Sequence, residues 1–309
     1  MRLSVLDTSP IVAGSTAQQA LRNTVDLAGL ADQLGFHRYW VPEHHGMRGV
    51  ASSAPAVLVA ELANATRNLR VGSGGVLLPN HAPIVVAEQF GTLEALHPGR
   101  IDLGIGRAPG GPPSAVEVVR GGRTEKTYDE QLDELLSYFT PDSPAIPAIG
   151  NAPPIWLLGS SPASAQLAGA RGLRYAFAHH LNPAATAEAA RTYRGPEMLV
   201  SVSVIVADTD ERAEWLAGST RLKVLSRIRG TRIRLPSPED AAAYPYTEDD
   251  RAEIAARSGS VLVGSPETVT RKLRAVLDDT GVDELMVTSP IYHHHDRLRS
   301  YDLLASTVD

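Results

Sequence analysis

The chain has 309 residues, 43% of them hydrophobic, and 35 acidic against 29 basic side chains give a formal net charge of −6. No Lys/Arg block runs along it, which excludes a nucleic-acid binder, because such proteins concentrate positive charge where phosphates lie. The absence of cysteine excludes disulfides, thiolate nucleophiles and Cys-based zinc sites. The first six residues end at Asp7 without an apolar signal region, and nothing approaches the roughly 20 apolar residues of a membrane helix, so a soluble cytoplasmic chain is expected.

Short apolar runs alternate with stretches at helical spacing. Residues 3–6 read as a strand, 16–34 as a helix stopped by Gly35, 36–41 as a second strand ended by Pro42, and 54–66 as a helix. A third strand spans 69–75. Pro83 opens a helix to Leu96, and the His97-Pro98-Gly99 turn leads into a fourth strand over 100–105. After a Gly/Pro-rich loop over 106–122, Leu132, Leu135, Leu136 and Phe139 share one helical face. Strands then follow at 154–158, 173–178 and 199–207, separated by helices over 162–170 and 183–193. Ser265-Pro266-Glu267 starts a last crossover helix, Gly281 closes it, and 284–288 is the eighth strand. Eight strands alternating with helices predict an α/β fold, a single (β/α)8 TIM barrel over 1–309. An inserted loop region is expected after strand seven, where 227–250 reads as an active-site loop and lid. An open doubly wound sheet is the alternative that alternation leaves standing.

In a parallel barrel the reacting groups collect at the C-terminal strand ends. The second strand leaves through Pro42-Glu43-His44-His45, and imidazole, which titrates near neutral pH, can move a proton either way. Helix capping and solvation are the competing account of these histidines. The third leaves through Gly74-Gly75, where backbone can approach a flat ligand or where the barrel simply bends. The fourth leaves through Gly104-Ile105-Gly106-Arg107-Ala108-Pro109. This fails the dinucleotide fingerprint at Pro109, and Pro112 and Pro113 oppose the required helix start, so Arg107 is read as a fork for phosphate or as a surface ion pair. The fifth leaves through Gly159-Ser160-Ser161-Pro162, with Ser164 close by, an anion-ready helix start that ordinary capping explains equally well. Consecutive His293, His294 and His295 point in different directions and are not read as a metal site; no metal is expected. His81 is a lower-ranked candidate.

In this order the segments 36–45, 71–79, 99–107, 159–161 and 264–266 resemble those of the bacterial luciferase-like monooxygenases, from the first strand to Leu304. The likeness extends to a branch that includes oxygenases of polyketide tailoring. The resemblance implies reduced FMN reacting with O2 to oxygenate a small-molecule substrate, with a separate NAD(P)H-dependent flavin reductase and a homodimeric chain. It implies His44 as catalytic acid or base, with Glu43 and His45 supporting it. Gly74-Gly75 matches the position of a non-proline cis peptide beneath the flavin ring. Arg107, Gly159, Ser160, Ser161 and Ser164 match the phosphate-binding region. Gly106 stands where luciferase catalytic chains commonly carry a reactive cysteine, which argues against light emission and a long-chain aldehyde substrate. The alternatives are an F420-dependent oxidoreductase transferring hydride and a non-catalytic flavin-binding protein.

Overall fold

The alternating runs close into a barrel in the computed structural model, which describes residues 1–122, 126–257 and 260–307. Its strands are β1 (Arg2–Leu6), β2 (Arg38–Val41), β3 (Arg70–Ser73), β4 (Val76–Leu77), β5 (Ile101–Gly106), β6 (Ile155–Gly159), β7 (Arg174–Ala178), β8 (Met198–Val206), β9 (Val261–Gly264) and β10 (Glu284–Thr288). Every strand pairing is parallel. β1 pairs with β2 and β10, and β10 pairs with β8, which closes the ring. β3 and β4 occupy one ring position, both pairing with β5, so eight positions result among the described residues. The closed ring excludes the open sheet. β9 stands outside it, where it continues from β10 along the last residues of β8.

The period of two along each strand sorts side chains between two cores. Tyr39 and Val41 of β2, Val5 of β1 and Leu285 of β10 face the helices and join the large outer core. Their neighbours face the barrel axis. At the bottom, Arg38 donates to Glu284 (2.9 Å), Asp102 (3.0 Å) and Glu197 (2.9 Å), while Ser4 donates to Glu284 (2.6 Å). Pairing of this kind is what makes buried charge tolerable. One layer higher Leu6, Trp40, Trp156, Ala176, Leu199 and Met286 form an apolar plug, with the two indoles edge to face at 5.4 Å. The barrel is thus sealed below its C-terminal mouth.

Helix ends follow the sequence signals. Thr16 caps Ala17–Gln33, and Ser265 caps Pro266–Thr280, which Gly281 terminates at φ 69°. Three expectations need correction. The third strand, expected over 69–75, ends at Ser73 and pairing resumes at Val76; the Gly74–Gly75 peptide between them is cis, as the resemblance implied. The loop over 106–122 contains a helix, Pro113–Arg120, with Pro113 in the first turn, where the missing N–H costs nothing. The insertion after strand seven is largely helical, with Asp210–Ile228, Pro238–Ala243 and Glu248–Arg257 before β9. Residues 123–125, 258–259 and 308–309 of the expected 1–309 domain lie outside the described residues. Among the described residues no helix is long and apolar enough to cross a membrane.

Candidate active site

Above the plug, at the C-terminal strand ends, lies a cavity of about 470 Å³, a size usual for small-molecule sites. Leu6, Trp40, Ala176, Leu199 and Met286 line it from below. Of the residues singled out in the sequence as catalytic or cofactor-binding, only His45 does not line it.

The glycine pair forms one wall. A Cβ on Gly74 would come within 2.7 Å of Leu6 Cδ1, and one on Gly75 within 2.7 Å of the Gly104 carbonyl oxygen. A side chain at Gly75 would run into backbone and one at Gly74 would have to displace Leu6, so the pair presents bare backbone to the cavity.

At the end of β2, Glu43 is buried and holds the turn together. It accepts from the Leu77 N–H (2.9 Å) and Asn80 Nδ2 (3.0 Å), and His45 Nε2 and His81 Nε2 each lie 2.8 Å from its oxygens. Burial alone would raise its pKa. The bonds from His81 and Asn80, the His81 charge and the Leu77 amide outweigh burial and keep it below the ordinary carboxylate value. His45 therefore stands behind Glu43 and not in the cavity. His44 lines the cavity, and its Nδ1 lies 3.3 Å from the Gly110 carbonyl. A carbonyl only accepts, so Nδ1 carries the proton and Nε2 is left as a lone pair. Burial lowers the His44 pKa, more than the Gly110 bond and the Glu43 charge raise it.

The part of the cavity at the exits of β5 and β6 is built for an anion. Arg107 is exposed in the cavity wall and has no ion pair among the described residues, which removes the surface-pair account. Beside it starts the helix Pro162–Ala170, capped by Ser161 in a reciprocal box with Ser164. The capping account thus holds for both of these serines. Ser164 Oγ is also 2.7 Å from Tyr175 Oη, so its hydroxyl is taken up inside the protein, whereas the Ser160 side chain makes no such bond. Helix amides and dipole favour an anion at this point.

A family model described as luciferase-like monooxygenase matches residues 1–284. The chain belongs to the luciferase-like monooxygenase family. It is 45% identical to the uncharacterized protein YvbT of Bacillus subtilis, covering 98% of this chain and 95% of that one. It is 34% identical to the N-acetyl-S-alkylcysteine monooxygenase of the same organism, over 100% and 98%. Among solved structures, apo-MsnO8 superposes with a TM-score of 0.92 at 39% identity, over 99% and 98% of the two chains. The protein is accordingly an oxidoreductase on a luciferase-like barrel.

Within this luciferase-like monooxygenase, three cavity residues escaped the sequence reading. Tyr128 opens the helix Tyr128–Ser137 near Arg107, and burial keeps its phenol protonated. His180 and Ser201 line the wall formed by β7 and β8. The histidines of the 293–295 run are engaged away from the cavity: His294 lies 2.7 Å from Asp26, and His293 stacks on His295. None of residues 227–250 lines the cavity. Arg234 instead donates to the Arg48 and Ser15 carbonyls, tying that segment to the loops after β1 and β2.

Proposed function

We propose that the chain, as one domain over 1–309, is the oxygenase of a two-component system. In this reading it is a cytoplasmic homodimer that oxygenates a small organic substrate with O2 and reduced FMN, the latter supplied by a separate NAD(P)H-dependent flavin reductase. The observation that carries the reading is one apolar cavity with an unpaired Arg107 beside a helix start at one end and the bare His44 Nε2 at another.

The residues fit FMN. Arg107, the Ser160 hydroxyl and the helix start would hold its phosphate, with Tyr128 near them. Gly74–Gly75 offers bare backbone to the ring system. Arg107 is the one Lys or Arg lining the cavity among the described residues, which suits the single phosphate of FMN better than the longer acidic tail of F420. When bound, reduced FMN would supply the two electrons that, with two from the substrate, let one atom of O2 enter the substrate and the other leave as water. The apolar walls keep bulk water from the reacting centre. His44 Nε2 takes up or returns the proton that moves with this chemistry, and Glu43 and His45 hold the turn that aims it. The homodimer draws support from Val57, Val85 and Leu96, which are 70%, 42% and 68% exposed on two adjacent helices.

The test is a coupled assay with a flavin reductase under ¹⁸O2, scored by mass spectrometry of the product across a substrate panel. Incorporation of one labelled atom is expected. The His44→Ala variant should keep FMN affinity within about twofold and lose roughly 10²–10⁴ in turnover; undiminished turnover removes His44 from this role.

A further inference from the structure

His180 lies across the cavity from His44. In ring order β1, β2, β3/β4, β5, β6, β7, β8, β10, the strand behind His180 (β7) is four places from the strand behind His44 (β2), on the far side of the barrel. The FMN reading draws on the exits of β2 to β6 and leaves β7 and β8 as a wall of their own. On that wall His180 Nδ1 lies 3.0 Å from Ser201 Oγ and 3.3 Å from the Ser201 carbonyl. Ser201 Oγ itself donates to the Phe177 carbonyl at 3.3 Å. Both groups facing Nδ1 are therefore acceptors, and the proton of the neutral ring sits on Nδ1. Nε2 has no partner among the described residues, and it is not one of the side-chain atoms sealed from solvent without a partner, so it opens on the cavity. Around it the lining is apolar: Leu158, Ala178, Leu199 and Met286, with Leu181 at the rim, 70% exposed.

We propose that His180 determines substrate specificity: its Nε2 accepts a hydrogen bond from an O–H or N–H donor of the bound molecule, and it selects aromatic or aliphatic substrates that carry a hydroxyl. Ser201 is the positioning residue that fixes the tautomer. An acceptor set in an apolar wall discriminates strongly, because a ligand without a donor leaves it buried and unpaired. This inference rests on the cavity being the substrate site of the proposed oxygenase. The donor could come from the substrate hydroxyl or from a flavin N–H, and the position of His180 just past the end of β7, away from the exits of β2 to β5, assigns it to the substrate.

The probes are 2-naphthol and 2-methoxynaphthalene, titrated calorimetrically into the FMN-loaded and the FMN-free protein, with FMN affinity measured in parallel. The wild type should prefer the naphthol by about tenfold, as one hydrogen bond to a buried acceptor warrants. His180→Phe should bring the two probes within about twofold while leaving FMN affinity unchanged, and His180→Gln, which retains an acceptor, should keep part of the preference. In ¹⁵N-histidine-labelled wild type, the ring signals that vanish in His180→Gln should show the proton on Nδ1. The proposal is overturned by a wild type without preference, by a preference that survives in His180→Phe, or by a proton on Nε2. An FMN affinity that collapses while the naphthol preference stays overturns it too and assigns the acceptor to the flavin. A wild type that discriminates the probes but binds no FMN contradicts the FMN reading and leaves His180 in place.

Discussion

At Arg107 and His44 the chemistry is set less by residue type than by what each is denied. Arg107 has no carboxylate partner among the described residues, so its planar fork is available to a phosphate. Charge-assisted hydrogen bonds of this kind are worth roughly 1.5–3 kcal/mol. Arg107→Ala is therefore expected to weaken FMN binding about 10- to 100-fold and to leave riboflavin, which lacks the phosphate, unaffected. Fluorescence titration of both ligands checks this, and equal losses for the two would place the phosphate elsewhere. His44 is denied water on most sides and meets a carbonyl at Nδ1, which makes Nε2 the basic atom. His45 is of the same residue type and adjacent in sequence, yet it faces Glu43. The sequence shows the Glu-His-His run but not which ring turns inward, because that depends on Gly110 arriving from another strand's exit.

At the scale of elements, the start of the helix Pro162–Ala170 carries the anion end of the site, and its geometry depends on Gly159. A Cβ there would lie 2.1 Å from Ser164 Oγ and 3.0 Å from Tyr175 Oη, the atoms that complete the capping box and anchor it to β7. Gly159→Ala should cost about 1–3 kcal/mol, as overpacking of a filled site does, and should weaken FMN binding. A thermal melt and an FMN titration read the two effects, and an unchanged protein would show that this turn has slack. Elements announced by local chemistry were legible in the sequence. Ser265-Pro266-Glu267 and Gly281 bounded a helix correctly. Ser237-Pro238-Glu239 carries the same start signal and does begin a helix, but the prolines and arginines around it read as loop. The glycine pair marked the end of the third strand, but the resumed pairing of Val76 and Leu77 with β5 was not read, because two residues are too short a run to announce a strand. Ala178-His179-His180 met the criterion that drew attention to His44, titratable rings at a strand exit, and was passed over. Tyr128 comes from a segment beyond the described helix Pro113–Arg120, and only folding brings it to the cavity.

For the whole molecule, several buried imidazoles make stability depend on pH. His44 and His180 both have pKa values lowered by burial from the ordinary 6.5. As pH falls through that value the unfolded chain takes up protons that the folded chain refuses, so folding stability declines. Asp7 and Glu43 act in a lower window. Their folded values lie below the ordinary 3.8 and 4.5, so their contribution is complete above those values and is lost only as pH falls through the folded ones. The urea midpoint should consequently be lower at about pH 5.5 than at about pH 7.5, and an equal or higher midpoint would contradict the buried neutral histidines. Strand–helix alternation made the parallel α/β class readable from one sequence, whereas closure of the ring rests on the pairings of β1 and β8 with β10, which no local pattern shows, and the shape of the cavity follows from that closure. The claim that this cavity is an FMN oxygenase site is tested most directly by anaerobic titration of the protein with reduced FMN and with reduced F420, followed by admission of O2 with substrate. The account predicts tighter binding of FMN and oxygenated product from that complex alone. Tighter binding of F420, with hydride transfer and no oxygen incorporated, would contradict it.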